Sequence, residues 1–286
     1  MMQKKNTMTS EKIKSRGLDI VAYIVLFVVV VFTVYPVIWM LLGSLKTPNE
    51  FYTNVWGFPD APVWRNYIEA WQMANLGPKF INSVIITVGT LALVLPFASL
   101  AAYAFAKMKF PGSNLLFYFF LLSLMIPRGV TAIPTFSVVI GLGIQNTRIS
   151  LILVMAALNL GFAIFLMRAY FLSLPKSIEE AALVDGCNPI TAFFKIVLPI
   201  SKPAYATVII FTGLNTWNEY FMSSILIRSE KLQTLPIGLV SFIGQYQTNY
   251  PQLFASLSIM TIPIVLLYII GQKQFIEGLT KGAVKG

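Results

Sequence analysis

Few side chains in this sequence could make or break a covalent bond. It has 286 residues, no histidine and one cysteine, Cys187. Imidazole bases, histidine-based metal sites and an intrachain disulfide are therefore excluded. What remains is a set of polar groups in apolar surroundings. Glu219 follows Asn215, Trp217 and Asn218 in one apolar run, Asn159 lies mid-way along another, and Arg128 sits beside Pro127 in a third. A carboxylate facing lipid at mid-depth costs at least ~2–3 kcal/mol, so Glu219 has to face a bundle, a cavity or a cation such as Arg128. Two roles fit it: a structural ion pair, or an acceptor for the hydroxyls of a polar solute, helped by Asn215, Trp217 and Asn218. Asn159 can line a pathway or hydrogen-bond a neighbouring helix. Arg128 can pair with Glu219 or extend its stem toward the surface.

The second cluster is the polar stretch 174–199. Ser177 and Glu180 have the S-x-x-E spacing of a capping box, and Ala181, Ala182 and Leu183 favour helix. Gly186 suits the left-handed position after a helix end, and Cys187 reads as a small turn residue. Asn188 can cap a second helix with Pro189 at its first position, and Pro199 closes it. Two short helices joined at a glycine turn are expected. Their apolar side carries Ile190, Phe193, Phe194 and Val197, with Phe193 and Phe194 expected to be exposed. Such a side can rest on a membrane surface or receive a partner.

These groups must be positioned by apolar helices. The chain is 57% hydrophobic and 11% charged, too apolar for an ordinary soluble domain. A bilayer core of about 30 Å takes about 20 apolar helical residues per crossing. Backbone groups in lipid must be satisfied within the segment, so long apolar runs read as helices. Six transmembrane helices are expected, near 20–42, 80–106, 115–140, 149–168, 203–227 and 253–271. The third contains Pro127, Arg128 and Pro134 and is read as continuous, since proline is tolerated in membrane helices. The first is too long for a signal-peptide core and lacks a small-residue cleavage pattern, so it reads as a retained anchor. The chain thus reads as one all-α integral membrane domain, 1–286. An ordered outer segment spans 43–79 and an inner loop spans 169–202.

The net charge of +10 comes from basic residues scattered between apolar runs. They form no stripe for nucleic acid, and read as topology signals and contacts to anionic membrane lipid. Lys4, Lys5, Lys12, Lys14, Arg16, Lys107, Lys109, Arg168, Lys176, Lys195, Lys202, Lys273, Lys281 and Lys285 would share one face; these are 14 of the 21 Lys and Arg. That face, with both termini and the loop 169–202, is expected to be cytoplasmic.

The spacing Glu180-Ala181-Ala182, Gly186, Ile196, Leu198-Pro199 resembles the EAA loop of bacterial binding-protein-dependent ABC importer permeases, E-A-A-x-x-x-G-x9-I-x-L-P, at every defined position. Other patches resemble the carbohydrate-uptake group of that family. They are Asn66-Tyr67, Phe80-Ile81-Asn82-Ser83, 101–106 with Phe110-Pro111-Gly112, Trp217-Asn218-Glu219 and the tail 278–286. The likeness is to the smaller, maltose-permease-like subunit. It implies a type I ABC importer (MetI-like) permease fold with cytoplasmic coupling helices, in the bacterial inner membrane. It also implies a heterodimer with a sister permease, two cytoplasmic ATPase subunits and an extracytoplasmic sugar-binding protein that delivers the sugar.

On that resemblance the ATPase-coupling residues are Glu180, Ala181, Ala182, Asp185, Gly186, Phe193, Phe194, Ile196, Leu198 and Pro199. Asn159, Asn215, Trp217, Asn218 and Glu219 are candidates for the sugar pathway. The sequence contains no G-x-x-x-x-G-K-[ST] phosphate loop, so ATP and Mg would be used by partner subunits, with no cofactor bound by this chain. The other readings are an ion-coupled secondary transporter half, with Glu219 as the ion site, and an importer permease for a non-sugar solute. A membrane-embedded hydrolase or transferase is disfavoured by the missing histidines.

Overall fold

A computed structural model describes residues 3–184, 186–244 and 248–283. The described residues are helical, apart from turns and one isolated bridge between Ile243 and Thr248. In chain order the α-helices are α1 (Gln3–Ser44), α2 (Pro48–Thr53), α3 (Arg65–Met73), α4 (Leu76–Lys107), α5 (Ser113–Met125), α6 (Ala132–Gly141) and α7 (Arg148–Ser173). They continue with α8 (Lys176–Val184), α9 (Pro189–Ala192), α10 (Leu198–Ile200), α11 (Lys202–Trp217), α12 (Phe221–Leu226), α13 (Leu235–Leu239) and α14 (Tyr250–Ala283).

Among the described residues, four helices are long and apolar enough to cross a bilayer: Asp19–Ser44, Leu76–Lys107, Arg148–Ser173 and Tyr250–Lys273. Ile190–Ile200 and Lys202–Trp217, bent by 74°, make a fifth if taken as one span. The chain is therefore a multi-pass membrane protein, and four or five of the six expected crossings are single helices or bent pairs of that kind. The difference lies in the third expected crossing, 115–140, which is not continuous. α5 stops at Met125, Ile126 is extended at ψ 118°, and α6 begins at Ala132. Pro127 explains this: its ring disfavours helical geometry at the preceding residue, and it has no N–H to offer. The fifth expected crossing, 203–227, is also interrupted, ending as α11 at Trp217 and resuming as α12 at Phe221.

The chain forms two compact units. One comprises 1–70 and 242–259. Its α1 ends where Ser44 meets the Tyr67 hydroxyl at 2.8 Å and Asn66 donates to the Ser44 and Lys46 carbonyls, both at 2.8 Å. Lys46 is buried and donates to the Asn54 carbonyl. A capping box between Thr47 and Glu50 starts α2. Trp39, Phe51, Tyr250 and Phe254 pack as an aromatic cluster, with Phe51 stacked on Tyr250 at 5.1 Å. The segment 43–79 carries α2 and α3.

The other unit comprises 71–241 and 260–286. Its centre is the pair α4 and α7, with Ala98 and Ala102 facing Ala163, Ile164 and Met167. Small residues allow this close approach without a hydrophobic driving force between helices in lipid. At Gly161 a Cβ would lie 2.7 Å from the Phe120 carbonyl oxygen, so only glycine lets α5 seat against α7.

Candidate functional site

The stretch 176–200 folds largely as its local chemistry dictates. Gly186 has φ +76°, and the Cys187 N–H donates to the Ala182 carbonyl at 2.9 Å. This is the six-to-one bond of a helix stopped by a left-handed glycine. Asn188 then starts the second helix: its side-chain oxygen accepts from the Thr191 N–H at 2.8 Å, with Pro189 next in sequence. Ser177, in contrast, lies in the first turn of α8 rather than before it, because the helix already starts at Lys176 behind Pro175. Glu180 is an exposed residue of that helix. Asp185 lies outside the described residues.

From Phe193 to Val197 the helix widens to a π turn, in which the Leu198 N–H donates to the Phe193 carbonyl. Pro199 is the reason we assign: it lacks an N–H for the Lys195 carbonyl, and its ring would clash there in a tight α turn.

The two phenylalanines do not share a surface. Phe193 is 2% exposed, its ring 4.9 Å from Tyr103 and 6.4 Å from Phe171, in the core between α4 and α7. Phe194 is 54% exposed. Ala182, Ala192 and Val197 are buried with Phe193, Ile196 and Leu198 are half-buried, and Ala181 and Pro199 are exposed. Val184, Ile190 and Phe194 form the outward apolar set. The segment is thus anchored along one side and open along the other. Its anchorage continues into neighbouring helices: the Tyr170 hydroxyl donates to the Ile200 carbonyl at 3.1 Å. Arg168 donates to the Phe105 carbonyl at 3.2 Å and lies 4.1 Å over the Phe117 ring.

The polar residues of the apolar helices are not brought together as one site. Glu219 is buried; one carboxylate oxygen accepts the Met222 N–H at 2.7 Å, and the other lies 3.5 Å from Arg128. Trp217 turns away from them. Its indole N–H donates to the Met260 carbonyl at 3.1 Å, and its ring meets Phe80 edge-on at 5.5 Å. It helps line an apolar cavity of about 210 Å³ with Val84, Val88, Leu91, Leu214 and Pro263. Asn215 and Asn218 are exposed, and Asn218 donates to the Leu214 carbonyl. Asn159 is buried and spends its amide on the Met155 carbonyl at 2.8 Å, within its own helix.

Asn82 was not singled out for a role by residue chemistry, although it is part of the patch Phe80-Ile81-Asn82-Ser83. It donates to the Lys231 and Gln233 carbonyls at 2.9 Å each and accepts from Arg148 at 2.8 Å. The adjacent Ser83 hydroxyl accepts the Leu235 N–H at 2.9 Å. Asn146 accepts the Arg228 and Ser229 N–H groups. Together these fasten the segment 228–235 to α4 and to the start of α7. The available signal was a polar pair at the start of an apolar run.

Residues 94–281 match the family described as binding-protein-dependent transport system inner membrane component. The chain is 36% identical over 264 residues to a probable ABC transporter permease protein of Bacillus subtilis, covering 92% of this chain and 88% of that one. It is 39% identical to an arabinooligosaccharides transport system permease protein of Halalkalibacterium halodurans, covering 88% and 91%. Among solved structures it resembles a bacterial ABC transporter involved in the import of the acidic polysaccharide alginate. That match has a TM-score of 0.79 and 25% identity, over 91% of this chain and 97% of that one.

Proposed function

This chain belongs to the family of binding-protein-dependent transport system inner membrane components, and from that premise we propose that it is a permease subunit of an ATP-driven sugar importer. Relatives named for arabinooligosaccharides, for diacetylchitobiose and for melibiose, raffinose and stachyose support the substrate class. In this reading the chain forms half of the translocation pathway beside a sister permease. Two ATPase subunits on the cytoplasmic side use ATP and Mg, and an outer sugar-binding protein loads the complex.

The observation that carries the coupling role is the two-sided segment 176–200. Phe193 and Val197 tie it into the α4–α7 core, while Val184, Ile190 and Phe194 stay outside with Glu180. A partner that grips the open side moves the anchored side with it, and the membrane helices follow. The coupling set is then Glu180, Ala181, Gly186, Phe194 and Pro199 at the contact. Ala182, Phe193, Ile196 and Leu198 transmit from behind it, and Asp185 joins them by its place in the EAA spacing.

The test is purification of the tagged chain from its native membrane in mild detergent. Two ATPase chains and a second permease should come with it. A chain that purifies alone and drives uptake from an ion gradient would be a secondary carrier instead. We further propose six crossings, the short α5 and α6 making one between them, with both termini cytoplasmic and 43–79 outside. Single cysteines placed at exposed Trp56 and Phe58, in a Cys187→Ser background, should react with an impermeant reagent only from outside in intact cells. Reaction confined to inverted vesicles would reverse the orientation.

A further inference from the structure

Two interrupted helices meet at one ion pair. Arg128 lies in the break between α5 and α6, and Glu219 lies in the break between α11 and α12. α5 rises about 20 Å from its first residue and α11 about 24 Å, so, counted from entry at those residues, both breaks come before the far edge of a hydrocarbon core of about 30 Å. Interrupted membrane helices expose backbone polar groups, and such breaks are tolerated where they line a cavity or are buried in protein. An ionisable pair at this depth marks a functional position by default.

The two partners are unequal. Glu219 is 8% exposed at its side chain, and both of its oxygens are occupied, one by the Met222 N–H and one by Arg128. Arg128 is 39% exposed and spends one terminal nitrogen on Glu219. A guanidinium carries five donors in a rigid fork, so donors remain beyond the one spent on Glu219. Surface snorkelling alone leaves the tethering carboxylate without a purpose. A fork held by a buried carboxylate is suited to a pair of oxygens on a passing solute.

We propose that Arg128, held by Glu219 at the meeting of two broken helices, contacts adjacent hydroxyl oxygens of the sugar in the translocation pathway. Glu219 is then a positioning residue, not the hydroxyl acceptor. This rests on the sugar-importer reading above.

The experiment uses the complete importer with its binding protein in proteoliposomes. Probes are maltotriose, arabinotriose, raffinose and diacetylchitobiose, followed by monodeoxy analogues of whichever is transported. Arg128→Lys keeps the charge for Glu219 but loses the fork. Arg128→Gln with Glu219→Gln removes both charges and keeps an acceptor for the Met222 N–H. Wild type should lose about tenfold in uptake on one deoxy analogue, the scale of one lost hydrogen bond to a charged group. Both variants should be about tenfold slow on the parent sugar and lose on that analogue about tenfold less than wild type does. Discrimination by the binding protein is common to all and cancels. Variants that match wild type on every sugar, or lose the same factor on every analogue, overturn the contact while the importer reading stands. Wild type that imports none of the probes with ATP overturns the sugar reading and this inference with it.

Discussion

Replacing Gly186 by valine is expected to uncouple ATP hydrolysis from uptake while the complex still inserts. Gly186 sits at φ +76°, and nothing lies within 4 Å of where a Cβ would be. Crowding therefore contributes nothing; the whole penalty is in the backbone. A non-glycine residue in the left-handed region costs about 1–2 kcal/mol, and a β-branched one more. The chain escapes that cost by leaving the left-handed state, which breaks the bond from the Cys187 N–H to the Ala182 carbonyl and re-aims α8 against α9. Uptake should fall at least about tenfold, a change of 1.4 kcal/mol or more at the docking surface. Gly186→Asn separates backbone from side-chain effects, because asparagine tolerates this region and occurs at such helix ends. It should keep most of the activity. The measurements are ATPase retained on purification and the ratio of sugar imported to ATP hydrolysed. Equal behaviour of the valine and asparagine variants would remove the glycine turn from the coupling path.

The second large effect divides neighbouring residues. Phe193→Ala should cost about 3–5 kcal/mol, the range for an aromatic side chain deleted from a packed core. Tyr103, Phe171 and Val197 surround that site. The expected result is poor accumulation of the chain and a lower melting temperature in detergent. Phe194→Ser should leave accumulation and melting unchanged, since that ring is already half in the open. It should instead release the ATPase subunits on purification. The reverse pattern, an unstable Phe194 variant and a stable but ATPase-free Phe193 variant, would invert the assignment of the two faces.

The contrast between these residues also marks how far local sequence carries. The glycine turn, the Asn188 cap and the helices on either side were legible, because each depends on a few consecutive residues and their backbone preferences. Which of two adjacent phenylalanines is buried depends on Tyr103 and Phe171, which lie 90 and 22 residues away in sequence, so both were read as exposed. The third crossing was read as continuous because proline is tolerated in membrane helices, whereas the effect of Pro127 on Ile126 is stereochemical and stops the helix here. The Arg128–Glu219 pair was open from the cost of a charge in lipid, and the geometry resolved it. The grouping of Trp217 with Glu219 failed because their breaks and bonds turn them to different neighbours. Asn82 could not be given its role, since its carbonyl partners at Lys231 and Gln233 are about 150 positions later.

The widened turn at Phe193–Val197 ties the segment's length to its aim. An i-to-i−5 turn holds one residue more than an α turn, and one residue advances an α-helix by about 100°. Replacing Pro199 would remove the cause of the wide turn and let the same residues relax to regular α geometry. Everything on their N-terminal side would then be rotated about the helix axis by roughly that angle relative to the helix that follows. Ile190 and Gly186 would turn with it, carrying the outward apolar set a quarter-turn off its bearing. Pro199 is therefore a phase setting. Substitutions elsewhere in the turn that respect polarity can be absorbed, whereas loss of this proline points the surface the wrong way.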